Sequence, residues 1–241
     1  MTLKYYDAYL TISTTPKDSF RNNLQAVINA QFDNAPNYYL IEEEETFGTL
    51  VFTDTNVRIT QVIKNKSTGE KLGDDFKQII FKELDHVTGM GYRYRFDNNI
   101  WIGVNSTNYK DITASITTRR CNHTLKWYDT SRVLRQEPCV IEYFKSGTTE
   151  NISENNNMIV PSKQCTIILQ NNDYSDTLQY DQRFFFNKVA WKIIGFDRIT
   201  YSGLIRLTVE QHSIDNVKDD LTNEIANSVV SATPTPGSMM W

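Results

Sequence analysis

Apolar and polar residues alternate with a period of two along most of this chain, and one segment departs clearly from that pattern. Near the front, Phe20, Leu24, Val27, Ile28 and Phe32 recur at helical spacing. Thr15 is placed to cap this helix, Pro16 suits its first turn, and Asp18 sits where the helix dipole favours an anion. Pro36 ends the segment, and the apolar stripe is expected to be a packing face.

From Tyr38 the pattern predicts strands. Tyr38 to Ile41, Phe47 to Phe52, and Val57, Ile59, Gln61 and Ile63 are the first candidates. Ser67-Thr68-Gly69 reads as a loop tip, and Asp74 to Leu84 as a second helix with Phe76, Ile79 and Ile80 on one side. Tyr92 to Phe96 and Ile100 to Val104, joined through Asp97-Asn98-Asn99, predict a hairpin. Ile112, Ala114 and Ile116 share one face of the next strand. Cys121, His123, Leu125 and Trp127 then share a face with the opposite parity. Such a switch demands a bulge or bend, and Arg119 and Arg120 stand at it.

Further strands are expected at Val133 to Phe144, where Pro138 suits an edge or break, and at Cys165 to Leu169. Phe184-Phe185-Phe186, Trp191 to Ile194 and Leu204 to Val209 follow, the last closing a hairpin after Tyr201-Ser202-Gly203. Gly147 to Asn157 is a polar, Asn-rich loop. The expected class is mainly β, an antiparallel sandwich or barrel-like fold, with the N-terminal helix and one or two short helices. Residues 1–211 form the β-rich domain, with a subdomain split allowed near 88–91. Residues 212–241 form a tail: a helical seam at Val217, Leu221, Ile225 and Val229, a Thr-Pro linker, and a docking end at Met239, Met240 and Trp241.

The 241 residues suffice for a real core without cross-links. Cys121, Cys139 and Cys165 are an odd, widely spaced set, so free and mostly buried thiols are expected. The net charge of −4 argues against a general nucleic-acid binder, but its distribution is uneven. Residues 33–56 hold six acidic side chains, among them Glu42, Glu43, Glu44 and Glu45, and no Lys or Arg. Residues 91–135 hold eight basic against three acidic side chains, including Arg93, Arg95, Arg119 and Arg120. These are either two solvated surfaces or the two halves of a heterologous contact between successive subunits of a ring. No stretch has the composition of a secretion signal or the length of an apolar membrane span, so synthesis in a cytoplasm is expected.

Catalytic chemistry finds little footing. The glycines form no phosphate cradle, and His86, His123 and His212 make no ligand pair. Cys121 with His123 comes nearest to a metal pair, and a buried thiol beside a hydrogen-bonded histidine explains it more simply. The glutamate run offers a carboxylate pair to a hydrolase reading through Glu42 or Glu45, but a charged strand edge that repels unwanted pairing accounts for it. Trp101, Trp127 and Tyr128 offer a sugar platform to a host-surface reading, against burial in the hairpins.

A resemblance runs through Asp74 to Asp85, Trp101 to Asn105, Arg120-Cys121-Asn122-His123-Thr124-Leu125-Lys126-Trp127, Gln170-Asn171-Asn172-Asp173, Gln182-Arg183-Phe184 and Trp191 to Asp197. On these motifs the chain resembles a family of structural proteins of tailed phages and prophages of Firmicutes, over most of its length from Phe20 to Gln211. That resemblance implies a virion component, in the head–tail connector or neck, without catalytic residues or cofactors. It implies partners that are other copies of the chain and neighbouring portal, adaptor or tail proteins, with DNA only passing through the channel and no membrane. The opposed charge runs and the apolar end would place its subunit contacts on Glu42, Glu43, Glu44, Glu45, Arg93, Arg95, Arg119, Arg120, Met239, Met240 and Trp241.

Overall fold

A computed structural model of the chain describes residues 15–62, 73–106, 114–143 and 163–227. Helix α1 (Pro16–Phe32) starts as its sequence dictates: the Thr15 hydroxyl accepts from the Asp18 backbone N–H at 3.2 Å, and Asp18 returns a bond to the Thr15 N–H at 3.2 Å. The Thr15 hydroxyl also donates to the Asp18 carboxylate at 2.7 Å, and this bond together with the Thr15 N–H bond holds the Asp18 carboxyl below its ordinary range, with Lys17 and Arg21 adding to the effect. The helix is tied down by the Gln25 side chain, which donates to the Lys82 carbonyl and accepts from the Leu84 N–H. Of its apolar stripe only Phe32 is buried, while Phe20 and Val27 are 60% and 53% exposed. The packing face expected from the periodicity is therefore largely open.

The strands form two antiparallel units. β1 (Tyr38–Glu44), β2 (Phe52–Gln61), β3 (Phe76–Phe81), β4 (Arg93–Phe96), β5 (Asn99–Ser106) and β6 (Ser115–Arg120) close a barrel in the order β1-β2-β3-β6-β5-β4. Inside it pack Ile41, Val57, Ile79, Phe81, Tyr94 and Trp101, with Phe96 stacked on Trp101 at 4.6 Å. β7 (His123–Tyr128), β8 (Leu134–Tyr143), β9 (Gln164–Gln170), β10 (Arg183–Phe186), β11 (Val189–Asp197) and β12 (Leu204–His212) make a six-stranded sheet in the order β10-β11-β12-β9-β8-β7. The sheet curls, so that Leu125 and Trp127 of β7 share one core with Phe184 and Phe186 of β10, its opposite edge. The fold is thus mainly antiparallel β with one N-terminal helix.

The predicted hairpin is present as β4–β5. Asp97 and Asn98 both take positive φ (51° and 56°), the two-residue turn that matches strand twist, and Asn187-Lys188 repeats it between β10 and β11. The parity switch at Arg119–Arg120 is the point where the chain leaves the barrel, and β7 opens the second sheet two residues later. Gly89–Gly91 lies within the barrel, between β3 and β4, so the change of sheet comes at Cys121–Asn122 and not near 88–91.

Three expectations need correction. Asp74 to Leu84 holds strand β3, not a helix: Ile79 and Phe81 point into the barrel core while the strand is hydrogen-bonded on both sides, to β2 and β6. Pairing to two neighbours overrides the helical reading of a short apolar run. Phe47 to Leu50 is a turn rather than a strand, with Leu50 at positive φ. The helical seam at Val217, Leu221 and Ile225 is a series of turns. Asp215 accepts from the Val217 and Lys218 N–H groups, and Asp220 from those of Thr222 and Asn223. These carboxylates offer the backbone a local alternative to the helix. The segment folds back on the sheet, where Ala226 packs on Phe185 and Ala190 and Arg183 grips the buried Asp219 at 2.6 Å. Val229, Ile63, Ile112, the loop at Ser67–Gly69, the Gly147–Asn157 loop, the Thr-Pro linker and Met239, Met240 and Trp241 lie outside the described residues.

Barrel and sheet meet through Ile102, Val140, Ile168 and Leu204, flanked by Met90, Val104, Cys121 and Tyr201. Two backbones touch at this junction. Gly91 and Gly203 have φ of 92° and 82°, and a Cβ on Gly91 would stand 2.1 Å from the Gly203 carbonyl oxygen. Only glycine meets both demands. Where alanine fits, replacing glycine stabilises a chain by up to ~1 kcal/mol; at Gly91 or Gly203, where it does not fit, alanine is expected to destabilise by more than that, as measured by denaturant unfolding. Gly73→Ala, with open space at its Cβ position, is the matched control.

Candidate functional site

The junction is built around a buried charge. β4 alternates, with Tyr94 and Phe96 entering the barrel core and Arg93 and Arg95 pointing out of it. At Arg95 the outer side is water. At Arg93 it is the second sheet, and the guanidinium is 0% exposed. Its Nη2 donates to Glu44 Oε1 at 2.5 Å and its Nη1 to Glu137 Oε2 at 2.5 Å, so one cation from the barrel bridges a carboxylate of β1 and one of β8.

The remaining lone pairs are occupied. Glu44 also accepts from the Gly48 and Leu50 N–H groups and, at 2.7 Å, from the Gln170 side-chain amide. That same Gln170 nitrogen donates to the Gly91 carbonyl at 3.0 Å, and its oxygen accepts from Asn172 at 2.9 Å. Asn172 also reaches Glu137, and its own oxygen accepts from the Tyr174 and Ser175 N–H groups. Two carboxylates around one guanidinium leave an excess negative charge in a dry place. Burial accordingly pushes the Glu137 carboxyl up from its ordinary 4.5, with the Glu44 charge acting the same way and Arg93 and Asn172 opposing.

The charged residues singled out from the sequence thus separate. Glu44 and Arg93 pair inside one chain and are removed from the surface. These two side chains are therefore not available to a contact between subunits, because β1 and β4 are barrel neighbours, with Glu42 opposite Arg95 and Glu43 opposite Tyr94. Glu43 turns inward, bonded to His86 at 2.9 Å and to Thr55. Glu42 and Arg95 form a solvent-exposed pair at 3.5 Å, Arg119 pairs with Glu142, and Arg120 with Asp75 at 2.5 Å. Glu45 is exposed.

Trp101 and Trp127 are buried in the two cores, which removes the sugar platform. Cys121 and His123 diverge: Cys121 packs at the junction, while His123 leans on the Phe186 ring at 5.5 Å. No cluster of three metal-ligating side chains occurs among the described residues. All three thiols are free, and burial raises Cys121 and Cys165 to about 12 and Cys139 well upward, so they stay protonated.

The sequence reading missed Glu137, Gln170, Asn172 and the two junction glycines. One signal was available: Arg93 sits in an alternating Tyr-Arg-Tyr-Arg-Phe run, so a second layer over that face would bury it. Gln170 and Asn172 also lie in one of the motifs that carried the resemblance.

Arg93→Met would strand two buried carboxylates and is expected to cost about 3–5 kcal/mol, read from chemical denaturation. Glu137→Gln tests the pH linkage. Because the folded value of Glu137 is raised, the native state holds an extra proton between 4.5 and that value. Stability from this group is therefore full below 4.5 and falls as the pH rises through the window. The glutamine variant is expected to lose that decline when midpoints are measured against pH. Asp219 runs the other way. Burial acts upward on it, but the Asp215 and Asn227 N–H groups and Arg183 outweigh burial and lower its value. Its contribution is present at neutral pH and is lost as the pH falls through the folded value.

Residues 123–210, from the start of β7 almost to the end of β12, match the family model described as the YomX C-terminal domain. The match takes in the second sheet and leaves the barrel outside it. No curated protein and no solved structure matches the chain. YomX is a protein of Bacillus phage and prophage type, and the similarity to its C-terminal domain is to the second sheet.

Proposed function

We propose that this chain is a structural protein of a tailed-phage particle, placed in the head–tail connector or neck, where copies pack side by side in a ring and act by fit rather than by a chemical step. The observation that carries the reading is the match of the second sheet to a phage-associated domain. Two structural features support it. The barrel and the sheet are joined by a satisfied buried network, which suits a part that must hold its shape under load. The α1 stripe keeps Phe20 and Val27 exposed, an apolar face of the kind that subunit contacts cover. The next copy of the chain packs there, with Glu45 and the exposed Glu42–Arg95 and Arg120–Asp75 pairs at the rim setting register. The remaining partners are neighbouring portal, adaptor or tail proteins. Among the described residues no helix is long and apolar enough to cross a membrane.

Peptide mass spectrometry of purified particles is expected to find the chain at a fixed multiple of the portal subunit. Light scattering on the isolated protein is expected to show a closed multimer. Phe20→Ser with Val27→Ser should weaken self-association at least tenfold, about 1.4 kcal/mol, without lowering the unfolding midpoint of the monomer. A chain that stays monomeric at high concentration and is missing from complete particles would sink the reading.

A further inference from the structure

Beside the apolar junction, barrel and sheet leave an open groove of about 550 Å³, within the size range of small-molecule sites. Its apolar walls include Phe76 and Val104 from the barrel and Ile168 and Tyr201 from the sheet side, and Arg119, Glu142 and Arg206 line it as well. The register explains the placement. Arg206 of β12 lies opposite Ile168 of β9, which lies opposite Val140 of β8, so all three share the sheet face turned toward the barrel.

The two arginines are not equivalent. Arg119 pairs with Glu142 and lies over the Phe76 ring at 5.0 Å, yet its buried Nε–H has no acceptor. Arg206 lies on the Tyr201 ring at 4.0 Å and makes no hydrogen bond or ion pair among the described residues, and its buried Nε–H also lacks an acceptor. Its cross-strand neighbour Asp197 spends its hydrogen bonds on the Ile199 and Thr200 N–H groups at 3.1 and 3.0 Å and acts on Arg206 only through its charge, without a hydrogen bond to it. Buried donors are nearly always satisfied, and a partly buried guanidinium with no acceptor in hydrogen-bond reach can take a carboxylate. The ring beneath Arg206 holds its planar fork in place, so little freedom remains to be lost on binding.

We propose that this groove binds a carboxylate carried on an apolar body, with Arg206 as the principal donor and Arg119 as the second. The donors, not the net charge, select the ligand: Arg119 and Arg206 are balanced by Glu142 and by Asp197, whose carboxylate feels Arg206 across the strand pair. A planar monoanionic carboxylate matches the guanidinium fork, whereas a dianionic phosphate would bring surplus negative charge beside Glu142 and Asp197. The apolar walls take the body of the ligand. The carboxylate comes either from a free small acid or from an acidic side chain of an extended peptide, and neither requires the ring.

Calorimetry with 3-phenylpropionate, its uncharged amide, inorganic phosphate and the peptide acetyl-Phe-Asp-Phe-amide tests the proposal. The acid is expected to bind, and the amide and phosphate at least tenfold more weakly. Arg206→Gln should weaken the acid at least tenfold, while Lys192→Gln, a cation of the same sheet paired with Asp181 and Glu210 outside the groove, should leave it unchanged. Thermal unfolding checks that the variants fold. On the unaltered chain, the Arg206 and Arg119 Nε–H resonances should move with the acid and not with the amide. A peptide that binds at least tenfold tighter than the acid assigns the groove to a partner's acidic side chain; equal or weaker peptide binding assigns it to a small acid. Equal binding of acid and amide, no movement of either resonance, or full affinity in Arg206→Gln would overturn it.

Discussion

Arg93 cannot be left alone where it lies. A guanidinium taken fully out of water costs several kcal/mol unless its donors meet acceptors in good geometry. Its two carboxylates come from different units, Glu44 from the barrel and Glu137 from the sheet. The charge is therefore satisfied only when barrel and sheet dock in one orientation. The four buried apolar side chains at the junction contribute roughly 6–12 kcal/mol at ~1.5–3 each. A misdocked arrangement that stranded Arg93 and both carboxylates would forfeit a comparable amount. The apolar patch makes the two units adhere, and the network decides how. The Gly91–Gly203 contact has the same effect by sterics, since the backbones approach so closely only in this register.

That division of labour bears on the functional reading. The proposed ring would require each subunit to transmit position from one neighbour to the next, and a joint held by directional bonds does this better than one held by apolar contact alone. The unit that matches a phage-associated domain is the second sheet, and it contributes Glu137, Gln170 and Asn172 to the joint. The barrel contributes the charge they enclose. Each half thus carries polar groups whose burial makes sense only in the presence of the other.

The groove beside the junction follows from the same geometry. A curved sheet laid on a barrel touches it over a limited area, and the gap widens away from the contact. Arg93 occupies the closed part with both of its carboxylate partners, and Arg206 occupies the open part with its Nε–H lacking an acceptor. The contrast between two arginines at one interface, one saturated and one with donors to spare, separates a structural charge from a binding charge.

Alternation along the chain determined the β class, the β4–β5 hairpin, the inward faces of β7 and β12, and the bend after Arg120. The capping residues determined where α1 begins. These are local properties, set by the pleat, by turn sterics and by the first turn of a helix, and they survive in any context. Periodicity reports which side chains share a face, and nothing about what covers that face. Arg93 and Arg95 are identical in type and parity, yet one is enclosed and the other solvated, because the second sheet lies over one end of β4 only. The partners that decide this are remote, with Glu137 44 positions from Arg93 and Gln170 126 positions from Glu44. The strand state of Phe76–Phe81 likewise depended on β2 and β6 lying on either side of it, and the uncovered stripe of α1 on what failed to pack against it. Face and turn were matters of sequence; burial, charge pairing and the binding groove were settled by how the two units came together.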